Sequence, residues 1–342
     1  MTIEQTLMTP AELRKQLLFG RDELPDLEET VAIIDEINAL KKEKNAVVLG
    51  HWYMRDSVKL VADYLGDSLD LSRKARETTA DVIVFAGVRF MAETAKILNP
   101  GKKVILPTLE AGCSLADSIT GEDVTRLRTI YPDAAVVTYV NTTAEVKAES
   151  DVCVTSANAK TIIERLPQKQ ILFIPDKYMG KNLKAELPGK EIITYDGACI
   201  LHETFTGMDI PGLRKLMPGL RVLAHYECDP SIIAAADFHG GTNDMKKYIA
   251  RETAEAKKRG DHLTFLMATE CGLSSTIKNE YAQRGEDLEL VGPCNLCPYM
   301  KTVTLRNLRD SLRDGKPEIL VPEHVRVKAY RALERMFELG GK

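Results

Sequence analysis

The sequence predicts an α/β fold: three similar three-layer α/β/α units with parallel sheets, related by a pseudo-threefold axis around a central active site. Three observations lead there. Short β-branched runs alternate with charged stretches at helical spacing, the signature of βαβ units. The alternation repeats itself three times. And 342 residues are too many for one ordinary core at about 150 residues per domain. One large doubly wound sheet is the alternative, and the matched spacings below speak against it.

Taken in order, the segment 1–45, with DLEETVAIIDEINALKKEK, predicts a leading helix on the first unit. Strands are predicted at 46–50, 81–87 and 103–107, then at 134–140, 151–156, 170–176 and 191–195, and finally at 221–227, 263–270 and 288–292. Stretches such as SLDLSRKARETTA and TNDMKKYIARETAEAKKRG supply the helices between them. The units divide at 1–115, 116–205 and 206–300. The tail 301–342 has apolar residues at helical spacing and is expected to pack back on the first unit.

Self-alignment gives the repeat its detail. His51, Tyr139 and His225 each lie in or at the end of a first strand, and Ser68, Ser156 and Thr242 each follow seventeen residues later. Asp63, Asp151 and Asp237 each stand five residues before that hydroxyl. Every unit then ends on a thiol near a glycine: Cys113, Cys199, and either Cys294 or Cys297. Ser68, Ser156 and Thr242 open helical patterns, where N-caps are expected. As equivalents, they would aim three helix N-termini at one centre, beside the carboxyl ends of the strands. Such a centre suits a small substrate with several negative groups.

Composition removes other classes. Lys and Arg number 46 against 50 Asp and Glu, a net charge of −4, which argues against nucleic acid as the main partner. No apolar run approaches the roughly 18 residues of a membrane span, and the N-terminus lacks the basic-then-apolar order of a signal peptide. A cytoplasmic globular protein is expected. Its seven cysteines then suggest a metal or catalysis before disulfides. Three equivalent thiolates without a fourth suggest an iron–sulfur cluster with one iron left open, able to act as a Lewis acid. Zinc is the rival, with Cys294-Asn-Leu-Cys297 as half a site. Cys153, Cys228 and Cys271 read as buried packing residues.

Other polar residues fall at the strand ends in pairs two apart: His51 and Tyr53, Tyr139 and Asn141, His225 and Glu227. Alternation puts each pair on one face of its strand, facing the same centre. His202 lies one helical turn after Cys199 and can face the same cavity. His239, His262 and His324 read as surface or packing histidines.

At this point the residues resemble the quinolinate synthase family, iron–sulfur enzymes of NAD biosynthesis. The matching segments include GHWYMRD, ADYLGDSLDLS, FAGVRFMAETAKILNP, LPTLEAGCSLAD, TYVNTTAEVKAESDVCVTSANA, YDGACILHE, AHYECDPSIIAAADFHGGT, the TE of MATECG, and CPYMK, covering about 46 to 305. The resemblance implies three α/β/α domains about a pseudo-threefold axis. It implies one [4Fe-4S] cluster per chain on Cys113, Cys199 and Cys297, the Cys-Pro-x-Met match deciding for Cys297. It implies condensation of iminoaspartate with dihydroxyacetone phosphate to quinolinate, phosphate and two waters, with an aspartate oxidase or dehydrogenase upstream. It further implies that His51, Ser68, Ser156, His225 and Thr242 hold carboxylate or phosphate oxygens, and that Tyr53, Tyr139, Asn141, His202 and Glu227 line the reacting centre. With this chemistry in view, Glu227 is expected as the main acid/base, with Tyr53, Tyr139 and His225 positioning or relaying protons.

The sequence departs from the family pattern at Trp52, Tyr195, Tyr226 and Gly241. The last removes one hydroxyl donor before Thr242. Two rivals keep a related architecture: a three-Cys iron–sulfur enzyme of the diphthamide-synthesis type, which lacks the paired polar residues at the strand ends, and an iron–sulfur redox sensor. A zinc hydrolase is the third.

Overall fold

The structure, a computed structural model, describes residues 27–340. The N-terminal part of the predicted leading segment therefore lies outside the described residues. So does the stretch read for a signal peptide. Leu27–Glu43 is the leading helix.

Twelve strands form three four-stranded sheets among the described residues. The first holds β1 (Ala46–His51), β2 (Tyr64–Gly66), β3 (Val82–Ala86) and β4 (Lys103–Ile105). The second holds β5 (Ala135–Tyr139), β6 (Val152–Val154), β7 (Gln170–Ile174) and β8 (Glu191–Thr194). The third holds β9 (Arg221–His225), β10 (Phe238–Gly240), β11 (Thr264–Ala268) and β12 (Glu289–Val291). In each sheet the second strand lies outside the first, and the third and fourth follow on the other side. All pairings are parallel, with helices on the connections. Ten of the strands fall where β-branched runs predict them. β2 and β10 do not, because Tyr-Leu-Gly and Phe-His-Gly carry no β-branched residue and end on glycine.

The conserved spacing of the three aspartates has a local cause. The backbone N–H groups of Val48, Val136 and Val222 donate to Oδ2 of Asp63, Asp151 and Asp237 at 2.8, 2.7 and 2.7 Å. Each aspartate's own N–H returns a bond to the carbonyl of the same valine. A basic side chain neutralises each carboxylate: Lys41 at 2.7 Å, Arg128 at 2.9 Å and Arg214 at 2.7 Å. The same bracket, made three times, pins the start of the edge strand to the strand beside it.

Parallel strands covered on both faces read as continuous apolar runs, and β1, β5 and β9 are buried almost throughout. Alternation then assigns their faces. Val222 and Ala224 pack outward with Phe205, Ile210 and Ile232, while Leu223 joins the large central core. Val136 likewise packs outward with Val124 and Leu172, while Val137 and Tyr139 face the central core. Tyr139 and His225 therefore reach the strand ends on the inward face.

The tail divides between two units. Leu305–Asp314 packs on Leu27–Glu43, with Arg306 paired to Glu29 at 2.7 Å. Glu323–Gly340 lies instead mainly over the second unit, against Ala144–Ala148, β6 and Ala159–Arg165. Its buried residues Ala329, Ala332, Leu333 and Met336 recur at helical spacing and cover that layer. No helix among the described residues is long and apolar enough to cross a membrane.

Candidate active site

The carboxyl ends of the three sheets share one cavity, lined by the expected substrate and acid/base residues and by Cys113, Cys199 and Cys297, while Cys294 lies outside it. The first unit gives it His51, Tyr53, Ser68 and Cys113. The second gives Tyr139, Asn141, Ser156, Cys199 and His202. The third gives His225, Glu227, Thr242 and Cys297.

The three thiols have similar surroundings. Cys113 precedes the short helix Ser114–Asp117, Cys199 precedes Ile200–Glu203, and Cys297 precedes the turn into Met300–Thr302. Burial pushes the Cys113 thiol up to about 12, raises Cys199 well above the ordinary range and lifts Cys297 to about 11. Backbone N–H groups of the following turn oppose this at each sulfur: Ala116 and Leu115, His202, and Met300 and Tyr299. Half-buried cysteines whose sulfurs are each met by backbone N–H donors fit an iron–sulfur cluster, whose thiolates are held and tuned in this way. Polar contacts lock the thiol loops together. Ser114 Oγ donates to the Ala198 carbonyl at 3.1 Å and accepts from Ile200 N at 3.2 Å. Buried Glu270 accepts the Cys297 N–H at 3.3 Å and pairs with Lys301 at 2.9 Å, while Lys301 also donates to the Tyr53 carbonyl.

Cys294 and Cys271 correct the sequence reading. They form a disulfide, their Cα atoms 4.9 Å apart, so Cys271 is not a plain packing residue. The start of Cys271–Gln283 and the loop before Cys297 meet across 23 residues of sequence, a contact that spacing alone does not reveal. The pairing also takes Cys294 away from a Cys-x-x-Cys zinc half-site. Cys153 and Cys228 are buried and free, as expected of packing residues.

Glu227 is the hub of the polar groups. The Tyr139 hydroxyl donates to its Oε1 at 2.5 Å, and His202 Nδ1 stands 3.0 Å from its Oε2. Burial opposes ionisation, but the His202 and His225 rings and the bonds from His202 and Tyr139 hold the carboxyl below the usual range. The His202 ring stacks on His225, centroids 4.6 Å apart, and its Nδ1 also lies 3.3 Å from Cys199 Sγ. Cys199, His202 and Glu227 thus form a cluster of potential metal-binding atoms.

His51 and His225 are held in one tautomer by the backbone. Each Nδ1 accepts an N–H from two residues on, Tyr53 at 3.2 Å and Glu227 at 3.4 Å. Burial lowers both pKa values to about 3, so both rings are neutral and carry their proton on Nε2. Burial, with Glu227 close by, raises the Tyr53 and Tyr139 phenols well above 10, so both stay protonated.

The three hydroxyl residues stand at the cavity but are not the caps expected of them. Asp67 caps Ser68–Glu77 by accepting from Leu69 and Asp70, which leaves Ser68 as the first helical residue. Thr242 likewise follows its cap, Gly241, and Ser156 lies in the turn before Ala159–Arg165. At Ser68 a carboxylate one position earlier wins the cap, at Thr242 the cap falls to Gly241, and in both cases the hydroxyl is left for another partner. Thr242 Oγ1, Thr155 Oγ1 and Asn141 Oδ1 are buried at the cavity with no hydrogen-bond partner, which marks them as contacts for a polar ligand. Gly241 makes room for this arrangement, since a Cβ there would lie 3.0 Å from Ser156 Oγ.

Sequence reasoning missed Asp67 and Thr155 on the cavity wall and Thr269 behind it. The first two adjoin Ser68 and Ser156, and a wider window on the repeat reaches them. Thr269 stands in the TE of MATECG, one of the matching segments, but the resemblance implies no role for it.

A pocket at the carboxyl ends of parallel strands, with paired acid–base groups and convergent thiols, belongs to an enzyme acting on small molecules. The family model for quinolinate synthetase A protein matches residues 35–338, and the chain belongs to that family. Among similar curated proteins, quinolinate synthase 2 of Mesorhizobium japonicum is 48% identical over 304 residues, covering 89% of this chain and 90% of the relative. The quinolinate synthase of Agrobacterium fabrum is 47% identical over 307 residues (90% and 85%), and that of Xylella fastidiosa strain 9a5c is 48% identical over 307 (90% and 87%).

Proposed function

We propose that this chain condenses iminoaspartate with dihydroxyacetone phosphate to give quinolinate, phosphate and two waters, as a step of NAD biosynthesis. The observation that carries the reading is the convergence of Cys113, Cys199 and Cys297 with Glu227, His202 and the two tyrosines in one cavity, in a chain of this family. The reaction balances without an oxidant, so it needs acid–base groups and a Lewis acid but no net electron transfer. Cys113, Cys199 and Cys297 would hold a [4Fe-4S] cluster. When bound, such a cluster supplies an iron free of protein ligands as a Lewis acid for the dehydrations.

The chain's own residues do the rest. His51 and His225 offer neutral Nε2–H donors, and Ser68, Ser156 and Thr242 offer hydroxyls, to carboxylate and phosphate oxygens. Neutral donors suit this task because they bind anions without adding positive charge beside Glu227. Asn141 orients the substrate through its amide. Glu227 is ionised in the free protein and accepts the first proton; carboxylates bound beside it raise its proton affinity and ready it to give the proton back. Tyr139 and His202 hold its two oxygens, and Tyr53 lines the same cavity. The three units at 1–115, 116–205 and 206–300 would then stand about a pseudo-threefold axis.

The test is anaerobic incubation of the purified protein with both substrates and chromatography of the products. Quinolinate is expected. Its absence from protein with a full cluster would favour the redox-sensor reading.

A further inference from the structure

Glu227 stands in the turn that follows β9, closed by the Cys228 N–H donating to the His225 carbonyl at 2.9 Å. That bond uses the His225 carbonyl and leaves those of Tyr226 and Cys228 to be satisfied elsewhere. Asn182, 4% exposed and absent from the cavity wall, satisfies both: its Nδ2 donates to the Tyr226 carbonyl and to the Cys228 carbonyl, each at 2.9 Å. An amide nitrogen carries two protons, so both bonds can be made at once. Asn182 belongs to the helix Lys177–Glu186 of the second unit, and the turn belongs to the third. One helical turn further on, Glu186 accepts from the Tyr226 hydroxyl at 2.9 Å and is itself held by Lys160 at 2.9 Å and His239 at 2.8 Å. One helix face thus holds the backbone on both sides of Glu227 and the side chain before it.

The other two units use the same device with a different donor. The turn after β1 closes from the Met54 N–H to the His51 carbonyl at 3.0 Å, and Lys301 donates to the Tyr53 carbonyl and to that of Met54 at 3.4 Å. In the second unit the buried Lys147 donates to the Thr142 carbonyl. Met54, Thr142 and Cys228 each stand three residues after His51, Tyr139 and His225, so the same carbonyl is held in every unit. A lysine does this twice and an amide once. The amide stands behind the one turn that carries a carboxylate, where a cation would stabilise the ionised form and weaken the base. Asn182 holds the backbone there without adding charge.

The Glu227 carboxylate is held by Tyr139 and His202, both of the second unit. With Asn182 added, the second unit grips Glu227 at both ends. We infer that Asn182 is a positioning residue for Glu227: it ties the turn to the second unit, so that the carboxylate keeps its place against the groups that hold it and against the substrate. The inference rests on the proposed condensation. Without the amide, two carbonyls lose their donor, and the turn is free to shift relative to Tyr139 and His202.

The test is a double-mutant cycle of Asn182→Leu, which keeps the bulk and removes both donors, with Glu227→Gln. Wild type, the two single variants and the double variant are assayed anaerobically at matched iron and sulfide content per folded chain. Asn182→Leu is expected to lower kcat about 10–100-fold, as misplacement of a reacting group does, with KM changed less than about 3-fold. In the Glu227→Gln background the same substitution should cost less than about 3-fold, because it acts through the carboxylate already lost. A residue that only supports the fold would cost the same in both backgrounds. Normal kcat in Asn182→Leu, a loss of kcat/KM carried by KM alone, or a full additive loss on top of Glu227→Gln would each overturn the inference. Should Asn182→Leu fail to fold, Asn182→Ser, which leaves room for a water at the two carbonyls, carries the same cycle. Wild-type protein that makes no quinolinate would instead count against the proposed function, a separate outcome.

Discussion

Where each edge strand starts, Asp63, Asp151 and Asp237 make the same reciprocal bond to a valine and the same ion pair to a basic side chain. Where each first strand ends, the equivalent pairs are His51 with Tyr53, Tyr139 with Asn141, and His225 with Glu227. The backbone is repeated at both places, and the side chains only at the first. A bracket does one job, satisfying a backbone N–H, and the best residue for it is the same three times. A cavity for an asymmetric reaction needs complementary groups, so one unit supplies the carboxylate, another the phenol that holds it, and two supply neutral imidazoles. The hydroxyls of Ser68, Ser156 and Thr242 and the thiols are the exceptions at the cavity, and the thiols are identical in type and similarly placed, as a shared multi-metal cluster would require.

Four perturbations sharpen or break that contrast. The largest effect is expected at the cavity. Glu227→Gln should retain iron while losing about 10²–10⁴-fold in turnover, measured with the anaerobic assay. Near-normal turnover would remove Glu227 from its role.

At the brackets the expected loss is in stability. Asp151→Ala leaves the Val136 N–H without its partner and should cost about 1–3 kcal/mol in chemical denaturation. Asp63→Ala and Asp237→Ala should cost similar amounts, with turnover per folded molecule kept. A loss confined to one of the three would mean that the brackets are not equivalent.

Thr242→Val separates the two regions within a single residue. Its hydroxyl is buried without a partner, so removing it should leave thermal stability unchanged or slightly higher. As a ligand contact, its loss should raise KM about 10-fold, the worth of one hydrogen bond to a charged group. A lowered melting temperature at unchanged KM would make it a structural residue.

The smallest effect is pH-dependent. Burial and the neighbouring Asp70 push the Asp67 carboxyl up to about 6. A carboxyl raised above its unfolded value favours the folded state only while protonated. Its contribution is therefore full below about pH 4 and is lost as pH rises through about 6. Asp67→Asn keeps a capping side chain and should gain about 1 kcal/mol over wild type above pH 6, with no gain at pH 4. Equal melting curves at both pH values would contradict the assignment.

Much of this was legible in the sequence because periodicity and spacing are local. β-branched runs mark ten strands, and the fixed interval from His51, Tyr139 and His225 to a hydroxyl marks the units. β2 and β10 are silent by propensity, yet Asp63 to Ser68 and Asp237 to Thr242 match the segment holding β6, so the repeat carries them. The cavity residues follow from strand alternation once the units are aligned. What stays hidden depends on contacts between units or loops. Cys271 meets Cys294 only when the loop before Cys297 folds over a helix start. Thr269 meets Tyr53 and His202 only because those two arrive from two other units. The caps fail for a smaller reason: Asp67 and Gly241 sit one residue ahead of Ser68 and Thr242, and a one-residue shift decides whether a hydroxyl closes a helix or faces a ligand.

The central claim is that three thiols from three units hold one cluster that the condensation requires. The direct measurement is anaerobic purification of wild type and Cys113→Ala, with iron and sulfide analysis beside the quinolinate assay. The wild type should carry about four irons and four sulfides per chain and make quinolinate, and Cys113→Ala should lose both. A colourless wild type carrying zinc, or equal quinolinate production by the two proteins, would contradict it.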